Sequence, residues 1–179
     1  MGRFTVADGF LTGVDRTHLA RAVELAAEAR DGGNHPFGAV LAGPDGNVLA
    51  AARNSVGTTG DVSGHAETNL VRISTTRVDA ALLPGSTLYT SCEPCAMCAG
   101  AIYWSGIGRV VFALSEADLY VLTGDDARNP TLKLPCRTVF AAGSRPITVV
   151  GPVDVPGMRD VHQGFWQGPA SAHRSAATR

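Results

Sequence analysis

Two short segments, His65-Ala66-Glu67 and Pro94-Cys95-Ala96-Met97-Cys98, restrict this chain more than any other feature. They carry three good metal donors and one acid. Zinc takes about four ligands from imidazole nitrogen and thiolate sulfur, and a catalytic centre draws three from the protein and leaves one position for water. Cys95 and Cys98 are three residues apart, which at the start of a helix sets both thiols on one side, about one turn from each other. The positive end of the helix dipole favours thiolate there. His65 is the candidate third ligand, also at a helix start. Glu67 follows two residues later. A regular helix would rotate it roughly 200° from His65, but a first turn is irregular enough for its carboxylate to approach the water without joining the ligands. General acid/base work needs that placement.

Each half alone has a plainer reading. A lone His-x-Glu arises by chance, and a lone Cys-x-x-Cys can be a redox pair or two buried cysteines. A thioredoxin-like pair would follow directly from a strand in a βαβ unit. Here Ser91-Cys92-Glu93-Pro94 leads into Cys95, which weakens that reading. The two halves in this order, each opening a predicted helix, are far more specific together.

Periodicity predicts a helix over Thr17 to Arg30, with Leu19, Ala22, Val23 and Ala26 on one face. Strands are predicted at Phe37 to Ala42 and Val48 to Arg53, joined by the turn Pro44-Asp45-Gly46-Asn47, and a loop at Ser55 to Gly64. Further helices are expected at His65 to Ile73, Cys95 to Trp104, Glu116 to Leu122 and Met158 to Trp166. Further strands are expected at Thr87 to Thr90, Arg109 to Leu114, Thr138 to Ala141 and Ile147 to Val150. Strands alternating with helices argue for a three-layer α/β domain. The strand order does not follow from this. Residues 1–167 read as one domain, and the small, polar residues 168–179 as a disordered tail.

The 179 residues are 45% hydrophobic and 17% charged, a globular composition with room for a core. The net charge of -1 and the lack of a basic run disfavour a nucleic-acid partner. No apolar stretch approaches the roughly eighteen residues of a membrane span, and residues 1–13 lack the pattern of a signal peptide. A cytoplasmic protein is expected, in which four cysteines lean toward metal or catalysis rather than disulfides. Cys92 and Cys136 read as unligated, and His18 as a helix surface residue. His162, Phe165 and Trp166 read more as core than as pocket.

The chain resembles the cytidine-deaminase-like superfamily, and within it the bacterial guanine deaminases. The combined zinc signature of the deaminases is part of that resemblance. The matching pieces, between about Leu19 and Trp166, are Pro36-Phe37-Gly38-Ala39-Val40, Asn54, His65-Ala66-Glu67, the run Leu88 to Cys98, and Gly100-Ala101-Ile102-Tyr103-Trp104. The resemblance implies an α/β/α fold with a five-stranded mixed sheet, and a homodimer. It implies Zn2+ on His65, Cys95 and Cys98, with Glu67 as proton shuttle. It implies a small nucleobase-type substrate, met by Asn54, Asp126, Phe37 and Ala66. Asn54 by itself reads more as a strand-ending turn residue than as a substrate contact, and Phe37 reads equally as core. Guanine deaminases carry Gly-Phe-Asp-Asp where this chain has Thr123-Gly124-Asp125-Asp126, so the acids match and the phenylalanine does not. A carboxylate at Asp126 would accept from the N1–H and amine of guanine. In such relatives the C-terminal segment closes over a site and can be exchanged between subunits.

The implied reaction is guanine to xanthine plus ammonia. Cytosine, a nucleoside or an aminotriazine is the alternative, and tRNA adenosine a weaker one for want of basic residues. A non-enzymatic reading, a structural zinc module, would require a fourth protein ligand such as Cys92 or Cys136.

Overall fold

The computed structural model describes residues 10–167. Helix α1 (Gly13–Asp31) leads into the hairpin β1 (Gly38–Ala42) and β2 (Val48–Arg53). A short α2 (Val56–Thr59) and α3 (Ala66–Arg77) precede a 3-10 turn (Ala80–Gly85) and β3 (Thr87–Cys92). Then come α4 (Ala96–Ser105), β4 (Arg109–Leu114), α5 (Glu116–Thr123), α6 (Cys136–Ala141), β5 (Thr148–Val150) and a 3-10 turn at Asp160–His162. The five strands form one sheet in the order β2-β1-β3-β4-β5. β1 runs antiparallel to β2 and β3, and β3, β4 and β5 are parallel. This is the expected five-stranded mixed α/β sheet.

Successive side chains of a strand point to opposite faces, and the two cores divide on that rule. Ala39, Leu41, Leu88, Val110 and Phe112 pack with Leu70, Ala99, Ile102 and Phe140, beneath α3, α4 and α6. Val40, Ala42, Tyr89, Val111 and Ala113 pack with Leu19, Ala22, Val23 and Leu25 of α1. The sheet is therefore buried on both sides, and β1 and β4, past Arg109, read as nearly continuous apolar runs. Gly38 allows α1 to lie directly on the sheet, because a Cβ there would run into the Ala22 carbonyl and the Leu25 side chain.

α1 begins four residues before its predicted start. Thr12 and Asp15 form a capping box: the Thr12 hydroxyl accepts from the Asp15 N–H at 3.2 Å, and the Asp15 carboxylate accepts from the Thr12 N–H at 2.7 Å. Asp15 also accepts from the Tyr89 hydroxyl at 2.8 Å and from Arg109 at 2.6 and 2.9 Å. One carboxylate thus starts the helix and ties it to β3 and β4. His18 is buried rather than superficial. It bonds the Gly46 carbonyl at 2.9 Å and packs on Tyr89, closing the hairpin turn against α1.

Burial would raise the Asp15 carboxyl, but the bonds from Arg109, Thr12 and Tyr89 outweigh it and hold it well below the carboxylate range. A depressed folded pKa contributes stability above the unfolded value of about 3.9 and loses it as pH falls through the folded one. Asp15→Ala is expected to cost about 3 kcal/mol, the low end for a broken buried pair, because Arg109 keeps 23% side-chain exposure. The loss should be full at pH 7 and shrink below about pH 4. Urea melts of both proteins across pH 2–7 measure it, and a pH-independent difference would refute the charge account.

Two predicted elements differ. Thr138 to Ala141 is not a strand but part of α6. Its first free N–H, on Cys136, donates to the Glu93 carboxylate at 3.0 Å, and this tertiary cap overrides the β-propensity of Thr-Val-Phe. Met158 to Trp166 is not a helix beyond one 3-10 turn. Gly157 and Gly164 adopt positive φ of 80° and 70° and break it at both ends. The Ser55 to Gly64 loop contains the short α2, and the predicted tail, 168–179, lies outside the described residues.

Candidate active site

α3 and α4 aim their N-termini at one point. His65 is the N-cap of α3 (ψ 154°) and Cys95 the N-cap of α4 (ψ 169°). Both backbones are extended there, which releases the side chains from the helical rotation that would separate His65 from Glu67. Cys98 lies one turn into α4, fully buried. His65 Nδ1 is 3.7 Å from Cys95 Sγ and 3.6 Å from Cys98 Sγ, and the three donor atoms lie within 4.8 Å of one another. A tetrahedral centre with zinc–sulfur and zinc–nitrogen bonds of about 2.3 and 2.0–2.1 Å needs nitrogen–sulfur edges of about 3.5–3.6 Å. The donor set fits zinc in chemistry and in size. Bonds from Cys98 and His65 pull the Cys95 thiol down to about 4, against the effect of burial.

Among the described residues no other His, Cys, Asp or Glu joins this cluster. Cys92 lies 3.8 Å from His162 Nε2, and Cys136 is buried in the core at the start of α6. Among the described residues the candidate donor set therefore has three members, which would leave a bound zinc one position for water or substrate. β3, α4 and β4 do form a parallel βαβ unit, with the strand running to Cys92. The strand context therefore does not separate this pair from a thioredoxin-like one. The imidazole of His65 does.

Glu67 is 5% exposed. Its Oε1 accepts from the Thr90 hydroxyl at 2.8 Å, and its Oε2 lies 3.5 Å from Cys98 Sγ. Burial pushes its carboxyl up, toward the range where an acid can give and take a proton near neutrality.

A cavity of about 410 Å3 opens over this cluster, the size of a small-molecule site. Phe37, Val56 and Leu119 supply apolar wall, and His65, Glu67 and Cys95 its floor. Glu116 and Arg128 line it too, and neither stood out in the sequence. Glu116 is the first residue of α5, placed there by the Ser115 cap on Asp118. Its N–H donates to Glu93 at 3.2 Å, so one Glu93 carboxylate caps both α5 and α6 at the cavity edge. Burial, together with Cys95, Glu93 and Glu67, raises the Glu116 carboxyl to about 7. The Ser115-x-x-Asp118 pattern was the available signal for that helix start.

The remaining expected residues sit as follows. Phe37 lines the cavity. Ala66, fully buried, is the first residue of α3. Asn54 is 2% exposed and lies behind the wall: its N–H donates to the Phe37 carbonyl at 3.0 Å and its Oδ1 accepts from the Val56 N–H at 3.0 Å. Its Nδ2 is buried with no partner among the described residues. Asp126 is paired with Arg128, which stands at the cavity. Phe165 and Trp166 are buried against His35 and, through Trp166, Phe37, backing the wall rather than lining it.

Known proteins are similar to this chain in sequence and fold. The chain is 45% identical over 155 residues to a probable cytosine deaminase of Schizosaccharomyces pombe, covering 86% of this chain and 93% of that protein. It is 42% identical over 112 residues to the guanine deaminase of Bacillus subtilis, covering 62% and 71%. Its fold matches a guanine deaminase from Nitrosomonas europaea with a TM-score of 0.72 at 22% identity, covering 90% and 89%. Residues 13–114, more than half of the chain, match the cytidine and deoxycytidylate deaminase zinc-binding region, and α1 through β4 are those residues. The helix pair that gathers His65, Cys95 and Cys98 lies within the matched region, and the chain belongs to this zinc-binding deaminase family.

Proposed function

We propose that this protein hydrolyses the exocyclic amine of a small nucleobase-type ring and releases ammonia, with guanine to xanthine as its first candidate reaction. The observation that carries the chemistry is a buried carboxylate, Glu67, beside an open three-donor metal site in one cavity. Zinc held by His65, Cys95 and Cys98 would supply Lewis acidity and a nucleophile near neutral pH. Thr90 fixes Oε1 of Glu67, which leaves Oε2 to carry the proton. Glu67 takes one proton from the attacking water and passes it to a ring nitrogen, then takes the second from the hydroxyl of the adduct and gives it to the departing amine, so that the C–O double bond forms as the C–N bond breaks. Phe37, Val56 and Leu119 seat the flat ring and exclude water.

Cytosine is the second reading. It is favoured by the 45% identity to a probable cytosine deaminase and by the Asp126 carboxylate being engaged by Arg128 instead of standing open to guanine. A small base is favoured over RNA by a cavity whose lining includes three glutamates and one arginine. A homodimer is part of the reading, supported by the exposure of Trp104, 85% exposed near the end of α4. Ammonia release by the zinc-loaded protein across guanine, cytosine, adenine, their nucleosides and aminotriazines tests the function, with Glu67→Gln as the blank. Turnover of at least one free base is expected. Silence across the panel with zinc bound would overturn it.

A further inference from the structure

Arg128 is held from three sides. Its Nε and Nη2 donate to the two carboxylate oxygens of Asp126 at 2.9 and 2.5 Å, and its backbone N–H donates to Oδ1 at 2.9 Å. Its guanidinium carbon stands 5.4 Å from the Phe165 ring centre and 5.6 Å from that of Trp166. Those rings are themselves fixed. Trp166 Nε1 donates to His162 Nδ1 at 3.1 Å and stacks on His162 at 15°. A guanidinium has five N–H donors in a rigid plane, and the Asp126 pair uses the Nε and Nη2 edge. Nη1 lies outside the pair.

Arg128 is also the only Lys or Arg among the described residues lining the cavity. The other charged lining groups, Glu67, Glu93 and Glu116, are acids. Acids accept from the amine and N–H groups of a ring. None of them can donate to an oxygen while ionised. The cavity lining thus carries three carboxyl groups and one guanidinium, which Asp126 holds in place. Asp126, with both oxygens engaged, orients this donor and does not itself present an acceptor.

We propose that Arg128 is a specificity-determining residue whose guanidinium donates to a carbonyl oxygen on the substrate ring, so that the protein selects amino-oxo heterocycles over amino heterocycles lacking the oxo group. The proposal rests on the deaminase reading of the site and narrows its substrate class. Asp126, Phe165 and Trp166 act on the substrate through Arg128 and are positioning residues.

Paired substrates that differ in the oxo group test it: cytosine against 4-aminopyrimidine, and guanine against 2-aminopurine. Losing a hydrogen bond to a charged donor lowers kcat/KM by roughly 10- to 100-fold. Arg128→Met should show that loss for the oxo member of the accepted pair and a far smaller one for its partner, and Arg128→Lys should recover part of it. Equal losses within a pair would overturn the proposal, leaving Arg128 as a loop brace. So would no loss, or a preference for 5′-monophosphates that vanishes with Arg128. If Arg128→Met fails to fold, Arg128→Lys alone still decides, because it keeps the charge and loses the planar fork. Binding separates this proposal from the catalytic reading. Calorimetric titration of zinc-loaded protein with pyrimidin-2-one and with pyrimidine should favour the former, in an Arg128-dependent way, even if no amine is turned over. Equal binding of the two would overturn the proposal while leaving deamination intact.

Discussion

Glu67→Gln is expected to lower kcat by at least ~10²- to 10⁴-fold, the usual contribution of a positioned general acid/base, while zinc content and fold stay as they were. The two side chains have nearly the same shape. The amide oxygen can take the place of Oε1 and keep the bond from Thr90. What the amide cannot do is carry a proton from water to ring nitrogen and then to the departing amine. Stability should hold or rise, because burial disfavours the charged form of Glu67 and the amide has no charge to bury. Turnover by ammonia release, zinc by metal analysis and a thermal melt read the three effects separately. A variant with a near-normal rate would remove Glu67 from the mechanism. A variant that lost zinc would show the carboxylate to be a ligand.

Cys98→Ala is expected to abolish both zinc retention and turnover. Cys98 is fully buried one turn into α4, and its sulfur stands 3.6 Å from His65 Nδ1. Two protein donors cannot hold zinc as three or four do. Cys92→Ser and Cys136→Ser are the informative controls. Both cysteines are buried free thiols, Cys92 in the cavity lining and Cys136 in the core, yet neither belongs to the donor cluster. Each variant should keep one zinc per chain. Loss of zinc in either would mean a closed four-ligand site, and with it a structural rather than catalytic metal. Zinc content per chain, measured after dialysis against a mild chelator, distinguishes the two.

The chemistry was legible because its signals are local. His65 and Glu67 lie at the first turn of one helix and Cys95 and Cys98 at that of another, and short-range geometry sets where their side chains can point. The paired motif therefore foretold the donor cluster. The short apolar runs of β1 and β4, bounded by turn residues, foretold strands. The start of α1 was missed because its cap uses Asp15 where Glu or Gln is the stronger signal, and because the same carboxylate answers to Arg109, 94 residues away.

The specificity side was not legible, and the reason is range. Thr138 to Ala141 has the composition of a strand, and becomes helix because Glu93, far back in the chain, caps it. His162, Phe165 and Trp166 share a segment that reads as a helix, but two glycines break it and its rings pack against His35, Phe37 and Arg128. Sequence placed an acid at Asp126 by analogy, and the structure places a guanidinium on it. Glu116 showed no pattern of its own, and became a cavity group when β4 ended beside Cys95. By itself, then, the sequence determined the cluster of three candidate metal donors, the acid beside it and the layered sheet, all products of local spacing and periodicity. Only the tertiary structure decided the strand order, the caps and the cavity wall, because each depends on a partner tens of residues distant that no local pattern names.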